Sequence, residues 1–302
     1  MKQLDRLKAK LMQLSPELEL LEREPMSRHT TFRVGGPVPL MALPRSAQQA
    51  IAAVRAAEEE GISPVFLGNG SNLLVPDEGV NVFVIKTVGG LDGAVVEGDC
   101  IAAESGSLLS RLAVLARDHS LTGLEFAHGI PGSLGGAVTM NAGAYDGEMA
   151  QVVVQVTVLR ADGQVETTDQ FDFSYRHSAF SDGTRLILGA RLQLHAGDAG
   201  RIRARMEELM ERRRSKQPLE WPSAGSTFQR PKGHFAAALI DQCGLKGLTV
   251  GGAQVSEKHA GFVVNKGGAT CADILELMAQ VRTRVFDQTG ILLEPEVKLL
   301  GG

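Results

Sequence analysis

Leucines recur at positions 4, 7, 11, 14, 18 and 21, the spacing of one apolar helical face, and predict an amphipathic helix over residues 2–22. The period then changes. "TTFRVGGPVPLMALPRS" (30–46) reads as extended chain around a Gly-Gly-Pro turn. Ser46 caps a predicted helix that runs to about Glu60, where Gly61 stops it. Residues 63–86 read as strand, loop, strand, and 93–106 as a hairpin around Glu97, Gly98 and Asp99. A helix is predicted from Ser107 to His119. A glycine-dense stretch follows, then an Asp-Gly hairpin at 150–168, a strand at 185–194 and a basic helix at 199–216.

Past residue 216, "QPLEWPSAGSTFQRP" (217–231) is rich in proline and marks a domain boundary near 197–220. "HFAAALIDQCG" predicts a helix stopped by Gly244, and "GFVVNKG" a strand. "TCADILELMAQVRTRVFDQTG" predicts a helix with Thr270 as N-cap, Asp273 three residues on, and Gly290 as its stop. Ile274, Leu277, Met278, Val281 and Val285 make its buried stripe. "ILLEPEVKLLG" reads as a closing strand with Glu294 and Glu296 on one face. No internal repeat appears, and the mixed order of elements is α+β.

Composition narrows the classes. The chain has 302 residues, 43% hydrophobic and 22% charged, with net charge −4, which argues against general binding to nucleic acid or membrane surfaces. Cys100, Cys243 and Cys271 are far apart and form no CxxC pair, so free thiols are expected and no metal site is suggested. His119, His128, His177, His234 and His259 show no metal-ligand spacing. The charged N-terminal segment lacks an apolar h-region, and no run is apolar enough to span a bilayer, so a cytoplasmic protein is expected.

Two glycine-rich stretches carry the candidate chemistry. "LGNGSNLLV" (67–75) follows a strand and can aim several N–H groups at one anion. It is not a dinucleotide fingerprint, because Leu73 stands where the third glycine belongs. A tight structural loop and a phosphate cradle both remain open. "HGIPGSLGGAVTMNAGAYDG" (128–147) interleaves its glycines with Ile130, Leu134, Ala137, Val138, Met140 and Ala142, so it is no linker. It can form a short helix begun at Pro131-Gly132-Ser133, with amides suited to a phosphate. In "FSYRHSAF", Arg176 offers a planar fork for a carboxylate, or is a plain surface arginine. Ser226 of "AGSTF" lies in no GxSxG elbow and fits a proton donor or ligand contact better than a hydrolase nucleophile.

In order along the chain, "TFRVGGP", "LGNGSNLLV", "GIPGSLGGAVTMNAGAYDGE", "YRHSAF", "SAGSTFQRP" and "LEPEVK" resemble the UDP-N-acetylenolpyruvoylglucosamine reductase family, from about Thr30 to Leu300. The resemblance implies an FAD-binding domain of the vanillyl-alcohol-oxidase type at 1–197, with α+β subdomains at about 1–86 and 87–197. An α+β substrate-binding domain would follow at 198–302. It implies non-covalent FAD, NADPH as co-substrate, and reduction of an enolpyruvyl group on a UDP-sugar in peptidoglycan synthesis.

The same resemblance assigns residues. Gly68, Asn69, Gly70, Ser71 and Asn72 would hold the FAD pyrophosphate. Gly129, Ile130, Pro131, Gly132, Ser133, Gly135, Gly136, Asn141, Ala142, Gly143 and Ala144 would lie along the flavin and its phosphates. Arg176, Ser226 and Glu296 would be catalytic, and Tyr175, Lys216 and Arg230 would contact substrate. Only "SDGTR" separates "YRHSAF" from the next strand, so the chain is similar to the shorter class without the inserted tyrosine-bearing loop. Arg230 stands where many relatives carry asparagine. A monomer is expected. The rival classes are another FAD-dependent oxidase or reductase of this fold, and a non-catalytic nucleotide-sugar-binding protein.

Overall fold

The computed structural model describes residues 2–301. Helix α1 (Lys2–Leu14) ends well short of residue 22, and a strand, Glu19–Pro25, takes over. Pro16 explains the correction: it lacks an N–H and pushes Ser15 out of helical backbone. Leu18 is still buried, so the apolar spacing outlives the helix. Helix α2 (Ala47–Glu59) starts where expected, with the Ser46 side chain accepting from the Gln49 N–H, a cap worth about 1 kcal/mol. Leu7 and Leu11 of α1 share one core with Ala50, Ala53, Val54 and Ala57 of α2.

Two sheets build the first half of the chain. One orders Glu19–Pro25, Pro37–Leu43, Phe83–Lys86 and Val65–Leu67, and the 83–86 strand runs parallel to 37–43 and 65–67. The loop 68–72 leaves the C-terminal end of one of these parallel strands. The other sheet is antiparallel: Val165–Thr168, Val153–Leu159, Leu186–Gln193, Cys100–Glu104, Ala94–Glu97. Both predicted hairpins are present in it. Helices α3 (Leu109–Asp118) and α4 (Leu134–Thr139) bury Leu109, Leu112, Leu134, Ala137 and Val138 in one core with Ile101, Val156, Val158 and Leu192.

The chain divides into two compact units. One comprises the residues up to Glu22, Pro39–Asn69 and Val82–Glu211; the other comprises Arg23–Val38, Gly70–Asn81 and the residues from Arg212 onward. This differs from a cut at 197/198 for a packing reason. Ile202 and Met206 of α5 (Ala199–Lys216) bury in the first unit's core, while Phe32, Val34 and Leu74 bury in the core of the second.

The second unit holds α6 (Ala236–Gln242), an antiparallel sheet of Thr249–Val250, Ala253–Val255 and Val263–Asn265, and α7 (Cys271–Thr289). Thr270 and Asp273 form a capping box, and Gly290 closes α7 in the left-handed conformation at φ 70°. The predicted stripe of Ile274, Leu277, Met278, Val281 and Val285 is buried. The closing segment is a correction. Only Lys298–Leu299 forms a strand, parallel to Leu73–Leu74, while Pro295 makes an isolated antiparallel bridge with Phe228. Glu294 is exposed and Glu296 half-buried.

Candidate active site

In the first unit, the loop after strand Val65–Leu67 meets the start of α4. Asn69 Nδ2 donates to the carbonyl of Pro131 at 2.7 Å. Gly68 lies so close that a Cβ there would sit 2.3 Å from Ser133 Oγ. Ser133 occupies the N-cap of α4, yet its side chain makes no cap hydrogen bond. That hydroxyl is buried and has no hydrogen-bond partner among the described residues. The N–H groups of Gly68 and Asn69 likewise donate to no acceptor among the described residues.

The glycines of α4 separate into two kinds. Gly135 faces Ser105, whose Cβ would lie 2.9 Å from an added Cβ. Gly136 faces outward, and an added Cβ would meet only Ser133 Oγ, at 3.6 Å. Protein packing therefore accounts for Gly135 but not for Gly136. The stretch continues through Asn141, which is buried and left-handed at φ 42°, into the tight hairpin that pairs Gly143–Ala144 with Gly147–Glu148.

Asn141 also holds the segment that leads to the predicted arginine. Its Nδ2 donates to the carbonyl of Ser174 at 3.2 Å, and its Oδ1 accepts from the Ala150 N–H at 2.9 Å. Ser174 and His177 exchange backbone hydrogen bonds at 3.1 and 3.2 Å, so Tyr175 and Arg176 form the tip of a two-residue turn. Ser178 Oγ anchors the far side on the Thr139 carbonyl at 2.8 Å. Arg176 sits at φ 56°, a conformation that costs a β-carbon residue roughly 1 kcal/mol. Its guanidinium lies over the Tyr175 ring at 5.4 Å. Tyr175 is exposed and Arg176 half-buried.

The second unit brings Ser226 and Glu296 onto adjoining segments. Phe228 and Pro295 form an antiparallel bridge, the Glu296 N–H donates to the Thr227 carbonyl at 2.8 Å, and Gln229 N–H donates to the Glu294 carbonyl at 2.9 Å. Thr227 is wholly buried: its N–H donates to Gly261 O at 2.8 Å, and its Oγ1 accepts from the Val263 N–H at 2.9 Å. Asn72, predicted for the pyrophosphate, clamps the other segment. Its Nδ2 donates to the Glu296 carbonyl at 3.0 Å, and its own carbonyl accepts from the Lys298 N–H at 3.0 Å.

Lys216 is exposed at the end of α5, and its charge acts on the ring of His259. Burial, then the charges of Lys246 and Lys216, hold the His259 pKa below the ordinary 6.5. Arg230 is exposed, with its guanidinium over the Phe235 ring at 4.4 Å. Among the described residues no group of acids, histidines and cysteines could hold a metal ion, and no helix is long and apolar enough to cross a membrane.

These loops match known proteins closely. Residues 217–300 match the family model described as UDP-N-acetylenolpyruvoylglucosamine reductase, C-terminal domain, and residues 38–169 match an FAD binding domain. A reductase of that name from Pediococcus pentosaceus is 46% identical over 95% of this chain and 96% of its own length. One from Caldanaerobacter subterraneus is 45% identical, over 97% of each. The chain belongs to the UDP-N-acetylenolpyruvoylglucosamine reductase family. The solved structure of the Thermus caldophilus reductase superposes with a TM-score of 0.80 at 35% identity, covering 94% of this chain and 98% of that one. A berberine bridge enzyme aligns at TM-score 0.51 and 14% identity, over 65% of this chain and 44% of its own, and shares the fold alone.

The residues of this reductase-family chain fit an FAD. A buried serine hydroxyl without a partner, loop N–H groups without acceptors and an outward glycine suit an anionic, flat ligand. Residues that the sequence patterns did not single out also appear. Thr227, Gly261 and Asn265 hold the second unit's loops, the last by donating to Phe32 O at 3.0 Å. The only local signal for Thr227 was its place beside Ser226 in a proline-bounded loop.

Proposed function

We infer that this chain is an NADPH-dependent flavoenzyme. It reduces the enolpyruvyl group of UDP-N-acetylglucosamine enolpyruvate to give UDP-N-acetylmuramate. One observation carries this: 46% identity to a reductase of that name across 95% of the chain. When bound, FAD supplies the redox chemistry, relaying hydride from NADPH to the terminal carbon of the enolpyruvyl double bond.

We assign the protein's parts as follows. The N–H groups of Gly68, Asn69, Gly70 and Ser71, with Ser133 Oγ, hold the pyrophosphate; Gly136 leaves room for the cofactor. Gly129–Gly132 and Asn141–Ala144 line the same ligand. The Arg176 fork binds the substrate carboxylate and stabilises the enolate charge that grows as hydride arrives. Its strained, multiply anchored turn supports that role, since strain persists where the surroundings enforce it. Ser226 delivers the proton to the adjacent carbon, and Glu296, held to Thr227, polarises the enolate oxygens. Tyr175, Lys216 and Arg230 contact substrate, with Lys216 on its phosphates. Hydride on one carbon and a proton on the other convert CH2=C to CH3–CH, with NADPH as the reductant.

The nucleotide chemistry of both substrates supports a cytoplasmic enzyme, and we propose a monomer. Visible spectra test the function. NADPH should bleach the flavin absorbance, and enolpyruvyl-UDP-N-acetylglucosamine should restore it. Bleaching without restoration under anaerobic conditions would exclude this substrate.

A further inference from the structure

His259 lies outside every role assigned above, yet its ring is tied to the backbone beside Ser226. The Gly261 N–H donates to His259 Nδ1 at 3.2 Å, so that nitrogen carries a lone pair and the ring proton sits on Nε2. Gly261 then accepts from the Thr227 N–H at 2.8 Å, and Thr227 follows Ser226 directly. The ring is fixed from other sides too. Its edge packs on Phe262 with centroids 4.9 Å apart, and the His259 backbone N–H donates to the buried Ser256 Oγ at 3.2 Å. A Cβ on Gly261 would lie 3.1 Å from both the ring and Ala237 of α6, so the glycine is as constrained as the ring.

We propose that His259 is a positioning residue for proton delivery: its neutral ring, through Gly261 and Thr227, sets the backbone that carries Ser226. A proton on Nδ1 would face the Gly261 N–H, donor against donor, and release the clamp. The surroundings oppose that proton. The charged groups near the ring are Lys246, which follows α6, and Lys216, at the end of α5. Neighbouring Lys258 donates to the Arg214 carbonyl at 2.6 Å and lies 3.8 Å from Glu220. Burial and the two lysines keep the ring neutral down to pH values below 6.5.

The inference rests on Ser226 as the proton donor. Its test is single-turnover kinetics on the FAD-loaded full chain: flavin reduction by NADPH, then re-oxidation by enolpyruvyl-UDP-N-acetylglucosamine, across the acid range. In the wild type, re-oxidation should fall on a limb below pH 6.5 while reduction does not. His259→Asn places an oxygen where Nδ1 was and cannot titrate. It should keep re-oxidation within about threefold of wild type at neutral pH and lose the acid limb. His259→Leu should slow re-oxidation on the order of tenfold, with flavin reduction unchanged. A His259→Asn pH profile superimposable on wild type overturns the proposal, as does a His259→Leu variant with both half-reactions intact. A second readout involves no turnover. In 15N-histidine spectra at neutral pH the His259 Nδ1 should be bare and Nε2 protonated, and the reverse tautomer overturns the proposal. If Ser226→Ala re-oxidised normally, the proton-donor assignment would fail while the ring spectrum stood, so the two failures are separable.

Discussion

The Glu296 N–H donates to the Thr227 carbonyl at 2.8 Å, which holds the glutamate backbone one residue from Ser226. Thr227 also satisfies the Val263 N–H through its hydroxyl and is fully buried. Thr227→Val keeps the shape and removes that acceptor. The stranded buried donor should cost roughly 1–3 kcal/mol of stability. Thermal unfolding should show the loss, and re-oxidation by substrate should slow while flavin reduction stays normal.

Ser226→Ala and Glu296→Gln separate the half-reactions. General-acid groups contribute about 10²–10⁴-fold, so re-oxidation by substrate should fall by that order in Ser226→Ala. NADPH should bleach the flavin at the wild-type rate in both variants. Stopped-flow absorbance reads each step, and equal loss in both would reassign the residues to cofactor binding.

Arg176→Lys keeps the charge and loses the fork. A charge-assisted hydrogen bond is worth roughly 1.5–3 kcal/mol, so kcat/KM for the enolpyruvyl substrate should drop on the order of 10- to 100-fold. Because position 176 has φ 56°, Arg176→Gly should fold at least as well as wild type while losing more activity. Steady-state kinetics and melting curves on the pair distinguish lost recognition from lost structure.

Ser133→Ala and Gly136→Val probe the cofactor cradle. Ser133 Oγ has no partner among the described residues, so its removal should leave the apoprotein as stable as before, or slightly more so. FAD affinity should weaken by about 1 kcal/mol, roughly fivefold. Gly136→Val should fold and fail to retain flavin, because a side chain there meets little but Ser133 Oγ in the protein itself. Fluorescence titration with FAD measures both.

Acid should unload the cap of α7. Hydrogen bonds from the Thr270 and then the Gly252 N–H hold the Asp273 carboxyl below the ordinary 3.8. A folded value below the unfolded one means this contribution is full above the unfolded pKa and is lost as pH falls through the folded value. Asp273→Asn should therefore be less stable than wild type at neutral pH, and the gap should close in acid below pH 3.8. Urea melts at several pH values give the comparison.

Much of this was legible in the residues. The Ser46 cap, the Thr270–Asp273 box, the Gly290 stop and the buried stripe of α7 are local signals that act within a few residues. The ordered motif set also points to the family by itself. Pro16 outranks the apolar repeat of the first segment and ends α1 at Leu14. The closing segment divides between two distant partners, Phe228 for Pro295 and Leu73–Leu74 for Lys298–Leu299.

What the sequence by itself determined, then, is the run of elements and the chemical kinds of residue at each loop, because caps, turns and periodicity depend on near neighbours. Tertiary structure alone decided which loops serve together. Asn72 read as a phosphate-loop amide, yet its side chain holds Glu296 across 224 positions of sequence. The sorting of 23–38 and 70–81 into the second unit depended on Phe32, Val34 and Leu74 finding the C-terminal core. Such contacts are paid for by burial between distant segments, and no local pattern encodes them. The role of His259 is of the same kind: its spacing says nothing, and only the Gly261 peptide packed against its ring ties it to Ser226.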